Sequence, residues 1–145
     1  MTLILGLMAG ILFIMYSIYA VRIIRGNPQV FELELLKSLA AWMITRGAGA
    51  RMQIWLMIIV SIMLEITYFL LVIITISNPV MLVFTGFFAG FEAIHLFLVS
   101  LTFSRFFQGK LLLKDVFNWK VERISALLFF THTFLVIFCL VITRI

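Results

Sequence analysis

Four stretches of this chain, at about 3–24, 52–76, 80–103 and 124–143, are each long and apolar enough to cross a bilayer. Roughly 20 helical residues span the ~30 Å of hydrocarbon in a membrane. Inside hydrocarbon every backbone N–H and C=O must find its partner within the segment, so each stretch is expected to be a helix. These segments take up most of the 145 residues and leave no soluble domain. The fold class therefore reads as all-α integral membrane: one membrane domain over 1–145, built as a four-transmembrane-helix bundle. Composition agrees, with only 12% of residues charged against about 25% in soluble domains.

The links between spans carry their own pattern. Gly26-Asn27-Pro28 combines a helix stop, an N-cap and a proline suited to the first helical position. Beyond it, Lys37, Ser38 and Thr45 follow one stripe while Phe31, Leu35, Leu39, Trp42 and Met43 follow another. This predicts an amphipathic helix lying in the interface over 28–46. Gly47 and Gly49 then release the chain into the second span. A shorter interfacial helix is expected over 110–122, with Leu112, Leu113, Val116, Phe117 and Trp119 set against Lys110, Lys114 and Asn118. Trp42, Trp55 and Trp119 fall near the same membrane interface and read as anchors.

Charge sets the expected orientation. Arg22, Arg25, Lys37, Arg46 and Arg51 lie in or beside the first link, and Arg105, Lys110, Lys114, Lys120 and Arg123 in or beside the third. The turn Ser77-Asn78-Pro79 carries none, and only Arg144 falls on the other side. The positive-inside rule makes both basic links cytoplasmic and both termini external (N-out, C-out), most simply in a bacterial or archaeal cytoplasmic membrane. The net charge of +5 is thus spent on topology and anionic headgroups, and no nucleic-acid partner is implied. Met1 to Ala20 has no basic residue ahead of its apolar run and Arg22 after it, the reverse of a signal peptide, so it reads as a retained span. One cysteine, Cys139, excludes an internal disulfide and any CxxC motif.

A weak internal echo runs through the chain. Gly6-Leu7-Met8-Ala9-Gly10 matches Gly86-Phe87-Phe88-Ala89-Gly90, and Arg22-Ile23-Ile24-Arg25-Gly26 matches Arg105-Phe106-Phe107-Gln108-Gly109. Spans one and three run the same way across the membrane, as a parallel repeat about the membrane normal requires. The glycines are candidates for close helix packing, with Gly86 and Gly90 meeting Gly6 and Gly10, or with these faces serving other membrane subunits or self-association.

Four ionisable residues sit within the apolar runs: Glu65, Glu92, His95 and His132. Such groups are costly in hydrocarbon and mark a functional site by default. Counting inward from Arg105 and Arg123 at 1.5 Å per residue puts His95 and His132 at one depth, roughly 14 Å in. The same count from Arg51 and Arg105 puts Glu65 and Glu92 roughly 20 Å in, near the midplane. Thr85, Glu92, His95 and Thr102 follow one stripe, Ser61, Glu65, Tyr68 and Thr75 a second, and Ser125, His132 and Cys139 a third. Lipid offers these stripes no partners, so they are expected to face one another.

Four chemistries fit that expected layer. His95 and His132 at matched depth suit the two axial ligands of a b-type haem. Glu65, Glu92, His95 and His132 together suit a single metal ion, since the i, i+3 Glu-x-x-His element occurs here once rather than twice. The same four residues suit a proton or ion pathway. They also suit plain pairing that holds helices together or docks a partner. No phosphate loop, nucleophile elbow or HExxH is present, so the expectation leans away from a self-contained enzyme. It points to a small accessory or anchor subunit of a larger membrane complex handling electrons or protons. The alternatives are a haem-bearing cytochrome subunit and a small oligomeric proton- or ion-coupled transporter or channel.

Overall fold

The structure, a computed structural model, describes residues 1–143; Arg144, the basic residue expected on the outer side, lies outside them. Five α-helices follow in order: α1 (Thr2–Ile24), α2 (Pro28–Arg46), α3 (Gly49–Thr75), α4 (Pro79–Phe107) and α5 (Trp119–Ile142), with one 3-10 turn at Leu113–Asp115. No strand occurs among the described residues. α1, α3, α4 and α5 are the four helices long and apolar enough to cross a membrane. Their outward faces carry exposed Leu3, Ile14, Met63, Val83 and Phe138, as side chains in contact with lipid do.

Local chemistry sets the helix boundaries. α1 and α4 both end in a Schellman turn, in which a glycine at positive φ lets two amides fold back onto the last carbonyls. Gly26 (φ 78°) and Asn27 reach Ile23 and Arg22 at 3.1 Å, and Gly109 (φ 73°) and Lys110 reach Phe106 and Arg105 at 3.0 Å. The sequence echo Arg-x-x-x-Gly is thus a shared helix stop. At the opposite end Asn78 caps α4, its side chain accepting from the Val80 and Met81 amides, with Pro79 at the first helical position. α2 starts at Pro28 and ends at Gly47 as its signals predict, although the Asn27 side chain makes no capping bond.

The link 110–122 departs from expectation. It holds a 3-10 turn and irregular chain, and α5 already begins at Trp119. Gly109 breaks the helix before this link, but no Gly or Pro separates Trp119 from the span, so its last residues join α5. The apolar residues of the link still turn inward: Val116 is buried and Phe117 packs edge-on against Phe103.

The four long helices form an up–down bundle in which α1 neighbours α3 and α5, and α4 neighbours α3 and α5. The α1–α5 interface is the most extensive. Phe13 stacks on Phe130, Tyr16 on Phe129, and Leu140 packs beside Gly6 of α1. One core of Leu5, Ala9, Val72, Phe88, Phe129 and Val136 fills the half of the bundle away from the basic links. A second core of Ile54, Ile58, Phe103 and Val116, with Leu39, Trp42 and Met43 of α2 packed against it, lies at the basic end.

α2 is fastened by a residue the apolar pattern concealed. Glu32 is buried and takes a two-pronged ion pair from Arg123 of α5 (2.6 and 2.9 Å) and a hydrogen bond from the Tyr19 hydroxyl of α1 (2.6 Å). The Arg123 hydrogen bonds hold the Glu32 carboxyl below its ordinary pKa despite the opposing effect of burial, and Tyr19 adds to the lowering.

Candidate functional site: a buried carboxyl–histidine chain

Glu92 and His95 lie one turn apart on α4 and are 1% and 8% exposed. The His95 Nδ1 stands 3.0 Å from Glu92 Oε2, and its Nε2 stands 2.9 Å from Oε1 of Glu122 in the first turn of α5. Two hydrogen bonds between an imidazole and two carboxyl groups require two protons shared over the three groups. Either the ring carries both, or one carboxyl carries one of them. A proton arriving at Nε2 can therefore be matched by one leaving from Nδ1, which is how an imidazole passes protons onward. Glu122 is partly exposed. Together with His95, Thr102, Asp115 and Asn118 it lines a 270 Å³ cleft, whose Asp115 and Asn118 are exposed beside the basic link.

On its other side Glu92 faces a 510 Å³ groove between α3 and α4, which it lines together with Glu65. Apart from Ser100 the remaining wall is apolar, including Ile66, Phe69, Leu70, Leu96 and Phe97. Glu92 Oε1 is buried without a hydrogen-bond partner. Glu65 also reaches a 250 Å³ cavity between α1 and α3, lined by Met15, Tyr16, Ser61 and Phe129. Glu122, His95, Glu92 and Glu65 thus form a series from an exposed cleft at the basic end to a groove in the apolar part of the bundle.

His132 belongs to a different place. Its Nε2 lies 2.9 Å from the Thr85 hydroxyl, which spends its own proton on the Met81 carbonyl (2.6 Å) and so must accept. Nε2 therefore carries the ring proton, and bare Nδ1 accepts from the Tyr68 hydroxyl at 2.8 Å. Rings of Phe69, Phe84 and Phe88 surround it. Its exposure is 0%, and both nitrogens are satisfied.

The two histidines, expected at one depth, are not brought together. α4 and α5 pair in a register that sets His132 against Thr85 and Glu122 against His95. Ten residues of α4, about 15 Å, separate the two levels. Matched depth presumed that Arg105 and Arg123 lie level, but α4 runs on past the start of α5, so Arg105 lies about 15 Å beyond Glu122. The residues do not present a bis-histidine haem site, because both His132 nitrogens are bonded within a closed aromatic shell. Nor do Glu65, Glu92, His95 and His132 converge as metal ligands; no group of three His, Cys, Asp or Glu among the described residues does.

The inward-facing stripes are formed in large part: Thr85, Glu92, His95, Ser125, His132 and Tyr68 are all buried. The glycine pairing is not. Gly6 packs beside Leu140 of α5, nothing stands within 4 Å of a Cβ placed at Gly10, Gly86 or Gly90, and the last two are exposed. Glu122 is the partner that the sequence left unnoticed, because it falls beside the basic link rather than within an apolar run. Comparison with family models, with curated proteins and with solved structures finds no match for this chain.

Proposed function

We propose that the chain is a small proton-handling membrane protein, in which Glu122, His95 and Glu92 relay protons from the basic face to the groove at Glu65. The observation that carries this reading is His95 bonded through both ring nitrogens to carboxyl groups on two helices. A histidine that only held helices together would need one such partner. The basic links put the exposed cleft on the cytoplasmic side, with the N- and C-termini outside.

The polar series stops at the groove. Beyond it the core of Phe69, Phe88 and Phe129 intervenes before the neutral His132 cluster. A path open at one end favours delivery of protons to something in the groove over a channel through the molecule. The exposed face at Gly86, Phe87 and Gly90 supports a second element of the reading, that the protein works as a subunit docked to another membrane protein.

The relay is tested by following the infrared band of protonated carboxyl groups after a rapid pH drop in bilayer-reconstituted protein. Wild type is expected to protonate Glu92 and Glu65 promptly, with the band diminished in Glu92→Gln and Glu65→Gln. His95→Gln should slow protonation by about 100-fold or more, the scale of a positioned acid–base group. An unchanged rate in His95→Gln refutes the relay.

A further inference from the structure

The groove between α3 and α4 has two carboxyl groups in its wall, one hydroxyl, Ser100, whose proton goes to the Leu96 carbonyl, and apolar side chains over the rest. Its volume of 510 Å³ suits a drug-sized or single-chain molecule. Ile66, Leu70 and Phe97 in its wall are exposed on the lipid-facing surface, so entry is lateral, from the bilayer. Glu65 is partly exposed and carries no hydrogen bond, and Glu92 Oε1 is a buried acceptor without a donor.

These features select the head group. Once the carboxyl pair has given up its proton, a quinone carbonyl, an ester or a fatty-acid carboxylate would bring acceptors to a wall that then offers only acceptors. A quaternary ammonium would supply charge but no N–H for Oε1. An alcohol would supply a donor but no charge to set against two acidic groups in an apolar wall. Building on the relay reading, we infer that the groove binds an amphiphile with a primary or secondary ammonium head and an apolar tail, its N–H groups shared by Glu65 and Glu92.

Proton delivery and ammonium binding are then one exchange. The ammonium enters as a proton leaves the carboxyl pair, passing from Glu92 through His95 to Glu122 and the cleft at Asp115. One positive charge replaces another, and no bond other than N–H and O–H contacts changes. The titratable groups around the exchange are Tyr16 of α1, Glu65 of α3, Glu92 and His95 of α4, Asp115 of the third link and Glu122 of α5.

The test uses full-length protein in phospholipid nanodiscs, with dicyclohexylcarbodiimide modification of Glu65 measured by mass spectrometry. Dodecylammonium should slow modification about tenfold, while dodecanol and dodecyltrimethylammonium change it less than about twofold. Glu92→Gln should abolish the protection. At equilibrium His95→Gln should keep it, since that change slows the proton's exit and leaves the groove intact, so loss of relay and loss of binding are read separately. Equal protection by dodecanol would reduce the groove to an apolar crevice. Equal protection by dodecyltrimethylammonium would remove the role of the N–H groups. Absence of any modification at Glu65 would show that the carboxyl does not face the bilayer, and any of these three outcomes overturns the inference.

Discussion

His95 and His132 are the same residue type on adjacent helices, and their hydrogen-bond partners give them opposite roles. Thr85 and Tyr68 can only fix His132 in one neutral tautomer, because the Thr85 proton is already spent on Met81. In the proposed relay, Glu92 and Glu122 let His95 gain a proton at one nitrogen while releasing one at the other. The fixed role predicts a stability effect. Tyr68→Phe and Thr85→Val each strand one His132 nitrogen and should destabilise the bundle by about 0.6–1.7 kcal/mol, the range for hydrogen bonds between membrane helices. Reversible unfolding in mixed micelles measures this, and relay kinetics should be unaffected. Sequence pattern placed Thr85, Glu92, His95 and His132 inside, because lipid gives polar stripes no other direction to face. It could not pair them, since pairing depends on how far α4 slides past α5, and no charge pattern records that offset.

Helix boundaries were legible where a glycine or proline marks them. Gly26, Pro28, Gly47, Pro79 and Gly109 all stand at helix ends as their backbone chemistry requires. The link 110–122 misled because its alternation of apolar and basic residues suits a chain folded over the second core as well as it suits a helix. Glu32 was hidden for the opposite reason, a single acidic residue in an otherwise ordinary amphipathic pattern. Its ion pair with Arg123 makes the docking of α2 depend on pH. Because the folded-state pKa of Glu32 is lowered, the pair stabilises fully above the ordinary carboxylate range and loses its contribution as pH falls through the depressed value. Arg123→Ala, which leaves Glu32 buried without its cation, should cost about 3 kcal/mol at neutral pH. It should also expose α2 to proteolysis, and the penalty should shrink under acidic conditions.

The whole molecule reads as an asymmetric bundle. At the basic end α3 and α4 run on past α1 and α5, and α2 packs against that projection. The half-path proposed from the Asp115 cleft to the groove follows from this offset, as does the closed aromatic core beyond it. Liposomes holding the protein should accordingly show no passive proton leak above that of lipid alone. In a Cys139→Ala background, Lys114→Cys should react with a membrane-impermeant maleimide only from the cytoplasmic side; labelling from outside would invert the topology and the direction of the relay. Nitrogen-15 NMR of histidine-labelled protein in bilayers reads how protons are held at each ring nitrogen and tests the proposed relay most directly. Across about pH 5 to 9, the range in which histidine exchanges protons, His132 should keep a proton on Nε2 and none on Nδ1. The His95 signals should change with pH as protons pass between Glu122 and Glu92. A His95 locked in one tautomer throughout, or a His132 that follows the pH instead, would contradict it.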